Sequence, residues 1–474
     1  MAENGAIVSA AMRIRRFWRA TSPVEPAMRV ALARRWAGLP AHIRTPSQTL
    51  GRWGLGCEGT HGVFPQCNLS CTPCYHSRDA NQVRIDGAHT VEQVTLQMRH
   101  LEEARGPRAN AQLIGGEVSL LAPDDHAAAL MAMRAAGREP MSMTNGDFDY
   151  EYLRDLVIGP DGRRRLRRVS FAAHFDSMMS GRRGLPRPVS EKDLTPFRRR
   201  FAAMFDRLRA EYGVRSFLAH NMTVTPANVD QIADVIRDSR EDGYGLFSFQ
   251  PAAYVGDRRK WRDGYRVVTG DEVWSQIEAG AGTRLPFRAL QTGDERCNRT
   301  TFGLWVGDMY FPLLDDRDPR DLRVRDAVLD RFGGLSLTPG ALSLFLARVA
   351  RVVVAHPDVV PVALGWAVRM LRKIGVRRLL RHHQIRPMTF VMHSFMDAAQ
   401  VAPAWEQLQR GETSSDPETR AVQERLQACF YTMAHPETGQ LVPACVQHGV
   451  LDPEENRELR RLLPLIPAGE ACCA

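Results

Sequence analysis

Short apolar runs alternate with longer amphipathic runs between residues 57 and 254 of this chain. The short runs have the length and composition of buried strands, and the longer runs repeat apolar residues at helical spacing. Several of the longer runs begin near Asp or Asn and end at Gly, as helices commonly do. With one strand ahead of Cys67, the pattern predicts six strands and five helices in repeated strand–helix order. That order is typical of a mostly parallel α/β sheet.

The predicted strands after the first are residues 110–117, 140–146, 168–176, 215–224 and 244–251. The predicted helices are residues 90–106, 124–138, 149–159, 196–213 and 228–243. Arg- and Gly-rich stretches around Arg163 and Arg182 interrupt this rhythm, and we expect them to be surface loops. Periodicity alone does not distinguish a doubly wound sheet from an eight-fold barrel.

The pattern changes after residue 257. Two short apolar runs flank Gly307-Asp308, which predicts a hairpin. Pro339 to Arg386 predicts two or three helices with bulky apolar residues, Trp366 among them, and several arginines. Two interpretations of these helices stay open: ordinary helices with a solvated arginine face, or a surface for anionic lipid. The stretch HPETGQLVPAC predicts a turn between two strands that brings Cys429 and Cys445 near each other.

A chain of 474 residues is longer than one usual hydrophobic core. We expect a basic N-terminal extension at 1–54, an α/β domain at 55–257 and a mixed α+β region at 258–474. No stretch approaches the ~20 charge-poor residues of a transmembrane helix, and no secretory signal is evident. These features predict a cytoplasmic protein, in which the nine cysteines are metal ligands or free thiols rather than disulfides.

Positive charge is concentrated in two segments. Residues 1–52 contain nine arginines against two glutamates, and residues 339–386 contain nine Arg or Lys against Asp358 alone. The formal net charge of the whole chain is +9, so the remainder is mildly acidic. The two basic segments predict an anionic partner: phospholipid head groups, nucleic acid or an acidic substrate.

Polar residues follow the predicted parallel strands, where ligands bind in such sheets. One edge would thus collect thiols, a carboxylate after two glycines and a ring of hydrogen-bonding groups. In strand order these residues are Cys67, Cys71 and Cys74; Gly115, Gly116 and Glu117; Thr144 and Asn145; His174 and Asp176; Asn221 and Thr223; and Gln250.

Three cysteines in eight residues are the strongest chemical signal in the sequence. Zinc fingers space their ligands as two distant pairs, whereas Cys67, Cys71 and Cys74 form one run. Thiolates in a loop suit a soft metal centre. Because 4Fe-4S clusters normally take four thiolates, a three-thiolate site leaves one iron open for another ligand.

At these residues the chain resembles the radical S-adenosylmethionine superfamily. The family's Cys-x3-Cys-x2-Cys loop matches Cys67, Cys71 and Cys74, and its GGE motif matches Gly115 to Glu117. The resemblance covers about residues 57–257 and implies a partial (β/α)6 barrel. It also implies a 4Fe-4S cluster whose open iron chelates S-adenosylmethionine, and an external electron donor such as flavodoxin or ferredoxin.

The resemblance assigns roles to further residues. Glu117 would hold the methionine amine, and ribose and carboxylate contacts would come from Asn145, His174, Asp176 and Gln250. The family usually has an aromatic residue just before the third cysteine, under the adenine. Here Pro73 stands at that position and Tyr75 follows the third cysteine, which makes Tyr75 the candidate for the adenine contact.

The segment FVMHSFMDAAQV and the following CFYTMAHPETGQLVPACVQHG resemble the C-terminal part of tetraether lipid synthases and their bacterial relatives. That resemblance implies radical chemistry on lipid chains and additional iron centres. Two interpretations of Cys297, Cys429 and Cys445 stay open: a second iron–sulfur or other metal centre, with Cys57 or a histidine as the fourth ligand, or buried free thiols. Cys472 and Cys473 are not expected to bind metal.

Three functions follow from these patterns. The leading one is a radical enzyme that forms a C–C bond on a lipid-like substrate or otherwise functionalises an unactivated C–H, with peripheral contact at the inner membrane face. The second is a radical enzyme that modifies a peptide or transfers a methyl group. The third is a non-enzymatic iron–sulfur protein that senses redox state or binds nucleic acid. The GGE motif and the polar strand ends disfavour the third function, because a sensor needs no cofactor cradle.

Overall fold

A large, mainly parallel sheet organises the chain. The computed structural model describes residues 18, 21–54, 57–75, 81–107, 109–256, 258–262, 264–265, 268–335 and 342–463, so Cys472 and Cys473 lie outside the described residues. The strands are β1 (Cys57–Gly59), β2 (Ser70–Cys71), β3 (Ala109–Leu113), β4 (Arg138–Thr144), β5 (Arg168–His174), β6 (Met179–Ser180), β7 (Arg215–Val224), β8 (Leu246–Pro251), β9 (Asn298–Val306), β10 (Met309–Pro312), β11 (Ile385–His393), β12 (Tyr431–Ala434) and β13 (Leu441–Pro443).

The helices flank this sheet or follow it. Their bounds are α1 (Pro26–Ala37), α2 (Gly87–Arg105), α3 (Pro123–Ala135), α4 (Tyr150–Val157), α5 (Thr195–Tyr212), α6 (Ile232–Asp238), α7 (Gly270–Ala281), α8 (Pro319–Phe332), α9 (Leu342–Ala355), α10 (Val359–Ile374), α11 (Val376–His382), α12 (Ala398–Gln409), α13 (Pro417–Gln427), α14 (Ala444–Val446) and α15 (Asp452–Leu462).

The predicted run of six parallel strands is confirmed. Strands β1, β3, β4, β5, β7 and β8 lie side by side in chain order, and each pairs in parallel with the next. The five predicted helices correspond to α2 to α6, and each lies between two of these strands in sequence. Because the strands run in one direction, their polar carboxyl ends meet at one edge of the sheet.

Aromatic packing stabilises the sheet against its helices. Phe171 and Phe247 on the strands are fully buried, as are Phe201 and Phe205 on α5. The Phe171 and Phe205 rings lie 5.2 Å apart. Burying one such side chain contributes about 1.5–3 kcal/mol to the free energy of unfolding. This cluster therefore holds the helices against the sheet and fixes the positions of the strand ends.

The region after residue 257 extends the same sheet at both edges. Strand β11 pairs in parallel with β8, and β9 and β10 continue that edge in antiparallel order. At the other edge β12 pairs in parallel with β1 and forms an antiparallel hairpin with β13. Both predicted hairpins are confirmed, and Gly307 adopts the positive φ of 65° that its two-residue turn requires.

The basic N-terminal segment packs against the C-terminal region. Gln48 forms a bridge with Gln291, and the Thr49 amide donates to the Gln291 carbonyl at 2.8 Å. From α1, Arg35 Nη2 donates to the Cys429 carbonyl at 2.6 Å. Burial lowers the pKa of Arg35 to about 10. At least one of the N-terminal arginines therefore serves an internal contact rather than an external anion.

Helices α9, α10 and α11 match the two or three helices that were predicted. Within the described residues no single helix has the length and apolarity to cross a bilayer, although α9 and α10 meet that criterion when counted together, bent by 115°. Trp366 would face the membrane in the anionic-lipid interpretation of these helices, but its indole Nε1 donates to the Leu313 carbonyl at 2.8 Å. Trp366 is half-buried against Val306 and Met370.

Candidate functional site

The cysteine loop is fastened to the end of β3 by the backbone. The Gly116 amide donates to the Phe64 carbonyl at 2.6 Å, and the Glu117 amide donates to the Gln66 carbonyl at 2.8 Å. On its other side the loop forms β2, whose Cys71 pairs with Met179 of β6. The three cysteines therefore lie at the carboxyl edge of the parallel strands, beside the turn that carries Glu117.

Close packing explains why both positions of this turn are glycine. A Cβ on Gly116 would lie 2.1 Å from the Gln66 carbonyl oxygen, and a Cβ on Gly115 would lie 2.6 Å from the Phe64 ring. Real Cβ atoms do not approach other atoms so closely, so any side chain here would push the cysteine loop away. The glycines thus allow the close backbone approach that positions the loop.

Cys67, Cys71 and Cys74 are half-buried and electrostatically close to one another. A hydrogen bond with Cys74 raises the pKa of the Cys71 thiol, and burial raises it further. Burial, with the nearby Glu117 carboxylate, raises the pKa of Cys67 to about 12. These shifts keep Cys67 and Cys71 protonated in the absence of metal. A metal centre at this loop would bind the thiolate form, and its positive charge would offset the repulsion between neighbouring thiolates.

Glu117 is fully buried and bonded within the protein. Its Oε1 accepts from the Ser119 amide at 2.9 Å, the Ser119 hydroxyl at 2.6 Å and the Thr144 hydroxyl at 2.7 Å. Its Oε2 accepts from the Asn145 amide at 2.6 Å. Burial raises the pKa of Glu117. The carboxylate therefore joins the ends of β3 and β4 in addition to any contact it makes with a ligand.

Asn145 connects that junction to the cysteine loop. Its Nδ2 donates to Asn68 Oδ1 at 2.6 Å and lies 3.9 Å from Cys67 Sγ. Its carbonyl accepts from Arg182 Nη2 at 2.7 Å. Sequence analysis expected a surface loop at Arg182, but this side chain is only 1% exposed. Its guanidinium lies 4.7 Å from the centre of the Phe175 ring, which accounts for its burial.

Arg182 also carries unsatisfied hydrogen-bond donors. In the part of the chain that the structure describes, Nε and Nη1 are buried and have no partner. Burial lowers the pKa of Arg182, and the charges of Asp147, Glu117, Cys71 and Asp176 oppose that shift. A buried guanidinium with two unused donors beside the cysteine loop is suited to an anionic ligand group.

His174 and Asp176 form an ion pair at the end of β5, with 2.7 Å between His174 Nε2 and Asp176 Oδ2. His174 Nε2 also lies 3.1 Å from the Thr223 hydroxyl of β7. Burial opposes protonation of His174, but Asp176 outweighs it, so the pKa of His174 is raised and that of Asp176 is lowered. Gln250 is half-buried and pairs with Thr223 in the sheet. The predicted strand-end residues thus meet at one edge.

Tyr75 links the cysteine loop to two other parts of the site. Its hydroxyl donates to the Gly115 carbonyl at 3.0 Å. Its ring lies 4.1 Å from the ring of His448, which follows the C-terminal hairpin. The side chain that the resemblance suggested for the adenine therefore packs between the GGE turn and the C-terminal region.

The second cysteine group also converges. Cys297, Cys429 and Cys445 line one enclosed cavity, together with His393 and Arg425. Cys429 precedes β12 and Cys445 follows β13, so the hairpin brings them together as predicted. Arg425 Nε donates to Cys297 Sγ at 3.0 Å, and the Met396 amide donates to Cys445 Sγ at 3.4 Å.

The three thiols and the imidazole of this cavity are uncharged at pH 7. Burial raises the pKa of Cys297 to about 11, and burial also raises the pKa of Cys429 and Cys445. Burial lowers the pKa of His393 to about 4, so its imidazole is neutral at pH 7 and offers a lone pair. The sequence left Cys57 or a histidine as the fourth ligand. His393 lines the cavity, whereas Cys57 is not among the residues that line it.

Aromatic rings span the space between the two cysteine groups. His448, which contacts Tyr75, lies 6.2 Å from Tyr431 between ring centres. Tyr431 in turn lies 6.1 Å from His393 at the second cavity. Sequence analysis assigned no role to Arg182, Arg425 or Tyr431. Two features of the sequence could have indicated a role for these residues: Arg182 closely follows β6, and Tyr431 comes two residues after Cys429.

No family model matches the sequence, and none of the curated proteins matches it. Similar solved structures include Streptococcus suis SuiB bound to S-adenosylmethionine, with 13% identity over 44% of this chain and 43% of that chain and a TM-score of 0.30. They also include anSMEcpe with bound AdoMet and Cp18Cys peptide, with 18% identity over 47% of this chain and 57% of that chain and a TM-score of 0.31. The chain spans less than two thirds of either structure's length.

Proposed function

We propose that this protein is a radical S-adenosylmethionine enzyme acting on a lipid-like substrate. The observation that carries the proposal is the attachment of the cysteine loop to the Gly115–Glu117 turn through the Phe64 and Gln66 carbonyls. This attachment places three thiols beside a cradle of buried polar groups at the carboxyl edge of parallel strands. Such an edge is where α/β sheets bind ligands.

The residues present fit a 4Fe-4S cluster and its cofactor. Cys67, Cys71 and Cys74 would hold three irons and leave the fourth open. When bound, the cluster supplies one electron that cleaves S-adenosylmethionine into methionine and a 5'-deoxyadenosyl radical, which then takes a hydrogen atom from the substrate. A donor such as flavodoxin or ferredoxin would supply the electron.

The chain's own residues would bind and orient the cofactor. Arg182 would satisfy its two unused donors with the methionine carboxylate, and Asn145 would hold the cysteine loop against that group. Glu117 would keep the ends of β3 and β4 together, and its carboxylate would attract the methionine amine. His174, Asp176 and Gln250 would offer polar contacts to the ribose, while Tyr75 would offer its ring to the adenine.

The first test is cleavage of S-adenosylmethionine by the reduced, anaerobically purified protein. We expect 5'-deoxyadenosine as a product in the wild type. In the Arg182→Met variant the cofactor should bind at least about 10- to 100-fold more weakly, because even one charge-assisted hydrogen bond contributes about 1.5–3 kcal/mol. Binding is measured by calorimetry on cluster-loaded protein.

Arg187→Met is the matched control, since Arg187 is exposed in the same loop. Its cofactor affinity should equal that of the wild type. Absence of 5'-deoxyadenosine in the wild type would overturn the proposed chemistry. Unchanged affinity in a folded, cluster-loaded Arg182→Met variant would instead remove only the role of Arg182.

The lipid part of the proposal rests on an exposed apolar surface on α9, α10 and α11. On α10, Val360, Leu364, Val368 and Leu371 are exposed at helical spacing and form one stripe. Exposed pairs four residues apart continue on the other two helices, at Leu342 and Leu346 and at Val376 and Leu380. Such patches mark contact with a membrane or another protein.

Charge favours an anionic membrane as the occupant of this surface. Arg372, Lys373, Arg377 and Arg381 are exposed beside the apolar stripe. By contrast, Arg369 and Arg378 of the same segment are paired with Asp321 and Asp308. Apolar and basic side chains on one surface can insert among acyl chains while meeting phosphate, which nucleic acid would not require. Peripheral contact with the inner membrane face would bring lipid to the enzyme.

We expect salt-sensitive binding to liposomes of anionic phospholipid and weak binding to neutral liposomes, measured by co-sedimentation. Changing Arg372, Lys373, Arg377 and Arg381 to Gln should weaken binding on the order of a thousand-fold, at about 1 kcal/mol per basic residue. The control changes Arg199, Arg200, Arg207 and Arg209 of α5 to Gln, because they are exposed on a different surface. Tight binding to duplex DNA or RNA without liposome binding would contradict the membrane proposal.

A further inference from the structure

A further group of polar residues lies where the end of β1 meets the C-terminal turn and α15, and it includes none of the cysteines. His61 follows β1, and Gln447, His448, Asp452 and Glu455 come from the C-terminal turn and α15. His61 Nδ1 lies 2.9 Å from Glu455 Oε2, and His448 Nδ1 lies 2.7 Å from Asp452 Oδ2. One ligand atom from each of His61, Asp452 and Glu455 lies within 4.8 Å of the other two. That spacing suits donors around a single ion.

The orientation of His61 allows a cation between these side chains. Its Nε2 lies 3.2 Å from the Ala434 carbonyl, which can only accept a hydrogen bond, so Nε2 carries the proton. Nδ1 lies 2.9 Å from Glu455 Oε2, so either a second imidazole proton or a bound cation stands between the two atoms. A backbone carbonyl that holds the far nitrogen is also the usual support of a metal-binding histidine.

Gln447 provides an independent sign of a missing ligand. The side chain is fully buried, and its Nε2 donates to Asp452 Oδ1 at 2.9 Å and to Glu455 Oε2 at 2.7 Å. Its Oε1 is buried and finds no donor within the described ranges. A buried amide oxygen without a partner is costly, and this one belongs to a side chain that reaches both carboxylates.

We propose that His61, Asp452 and Glu455 bind a first-row divalent cation of the Zn²⁺ class, with Gln447 Oε1 as the available fourth donor. One imidazole nitrogen and carboxylate oxygens without thiolate suit Zn²⁺, Mn²⁺ or Fe²⁺ rather than an iron–sulfur cluster. The imidazole disfavours Mg²⁺ and Ca²⁺, which take oxygen ligands. The side chain of Glu455 is 25% exposed, which gives the ion a route from solvent.

The site would connect the C-terminal helix to the cysteine loop. A cation bound by Asp452 fixes the carboxylate that pairs with His448, and His448 packs on Tyr75 beside Cys74. His61 follows β1, so the same ion also joins α15 to the sheet. The proposed cation therefore positions Tyr75 without belonging to the radical chemistry, and it does not depend on the proposed function.

The test measures Zn²⁺ binding to the full-length protein, purified anaerobically, after removal of loosely bound metal with a chelator. We expect one Zn²⁺ per chain at this site, with N and O ligands and no sulfur in the X-ray absorption spectrum. Glu455→Gln and Asp452→Asn should each weaken binding at least 100-fold. Glu458→Gln is the matched control, because Glu458 lies one turn further along α15 and is exposed.

Two outcomes would overturn the site. One is equal Zn²⁺ affinity in wild type, Glu455→Gln and Asp452→Asn. The other is sulfur in the first shell of the bound zinc, which would assign the ion to cysteines. Circular dichroism checks that each variant is folded, and if one carboxylate variant unfolds, the other variant and the absorption spectrum of the wild type still decide the proposal.

Discussion

Changing Cys71 to Ala is expected to remove the iron of the cysteine loop, about four irons per chain, and with it all cleavage of S-adenosylmethionine. Cys71 lies between Cys67 and Cys74 in the loop and pairs through β2 with Met179. A cluster held by only two thiolates would lose one of its three bonds to the protein. Iron analysis and the visible absorption of anaerobically purified protein measure the loss.

The same variant should remain folded, because Cys71 is half-buried and the backbone pairing of β2 with β6 does not need its side chain. The control is Cys57→Ala, which removes a half-buried thiol of β1 whose charged neighbours are Glu58 and Cys429. Iron at the loop should be unchanged in that control. Full iron content in Cys71→Ala would show that the loop does not hold the cluster.

A protein that lacks Cys67, Cys71 and Cys74 is expected to retain sulfur-ligated metal at Cys297, Cys429 and Cys445. These thiols line one cavity with His393, and Arg425 Nε donates to Cys297 Sγ at 3.0 Å, a contact that would favour the thiolate form on metal binding. Adding Cys445→Ser should abolish that metal, because the cavity then keeps two thiolates. Metal analysis and sulfur-to-iron charge-transfer absorption distinguish this centre from a site with N and O ligands.

His393→Ala in the same background tests the fourth ligand and should lower metal retention without removing all thiolate ligation. A matched control is His435→Ala, since His435 lies in the β12–β13 turn and is not among the residues that line the cavity. If the protein without the loop cysteines carries no sulfur-ligated metal, Cys297, Cys429 and Cys445 are structural thiols.

The parallel sheet was predictable because each strand carries its own signal. The runs ending at Thr144, His174 and Pro251 are apolar, and each is bounded by helical repeats or turn residues. By contrast, the sequence gives no local indication that β11 lies beside β8 or that β12 lies beside β1. Pairing between segments so distant in sequence leaves no periodic pattern in the sequence. A buried strand could pair equally well with any strand at the edge of the sheet.

The site was predictable in part for a similar reason. The cysteine loop and the GGE turn have fixed spacing, which sequence reveals directly. Arg182 was misjudged because its Arg- and Gly-rich surroundings resemble a solvated loop, whereas packing on Phe175 buries it. His393 was only one of several candidate histidines until the fold placed it at the second cavity.

The apolar stripe on α10 shows what helical periodicity leaves undetermined. Buried Val359, Met370 and Ile374 define one inward side, as an amphipathic pattern predicts. The opposite side carries both basic residues and the exposed Leu364 and Leu371, so it is not simply a solvated arginine face. Periodicity identifies the inward side and gives no account of what covers the other.

The pairing of β12 with β1 has a consequence for biosynthesis. Cys57 of β1 is paired with Tyr431, so the ribosome must complete most of the chain before that edge of the sheet is covered. Until then β1 presents unpaired backbone groups, which favour association with other chains. Tyr75 has no contact with His448 until the C-terminal region is made, so the cysteine loop also stays uncovered on that side. Docking of the C-terminal hairpin is therefore the late step that covers both the sheet edge and the loop.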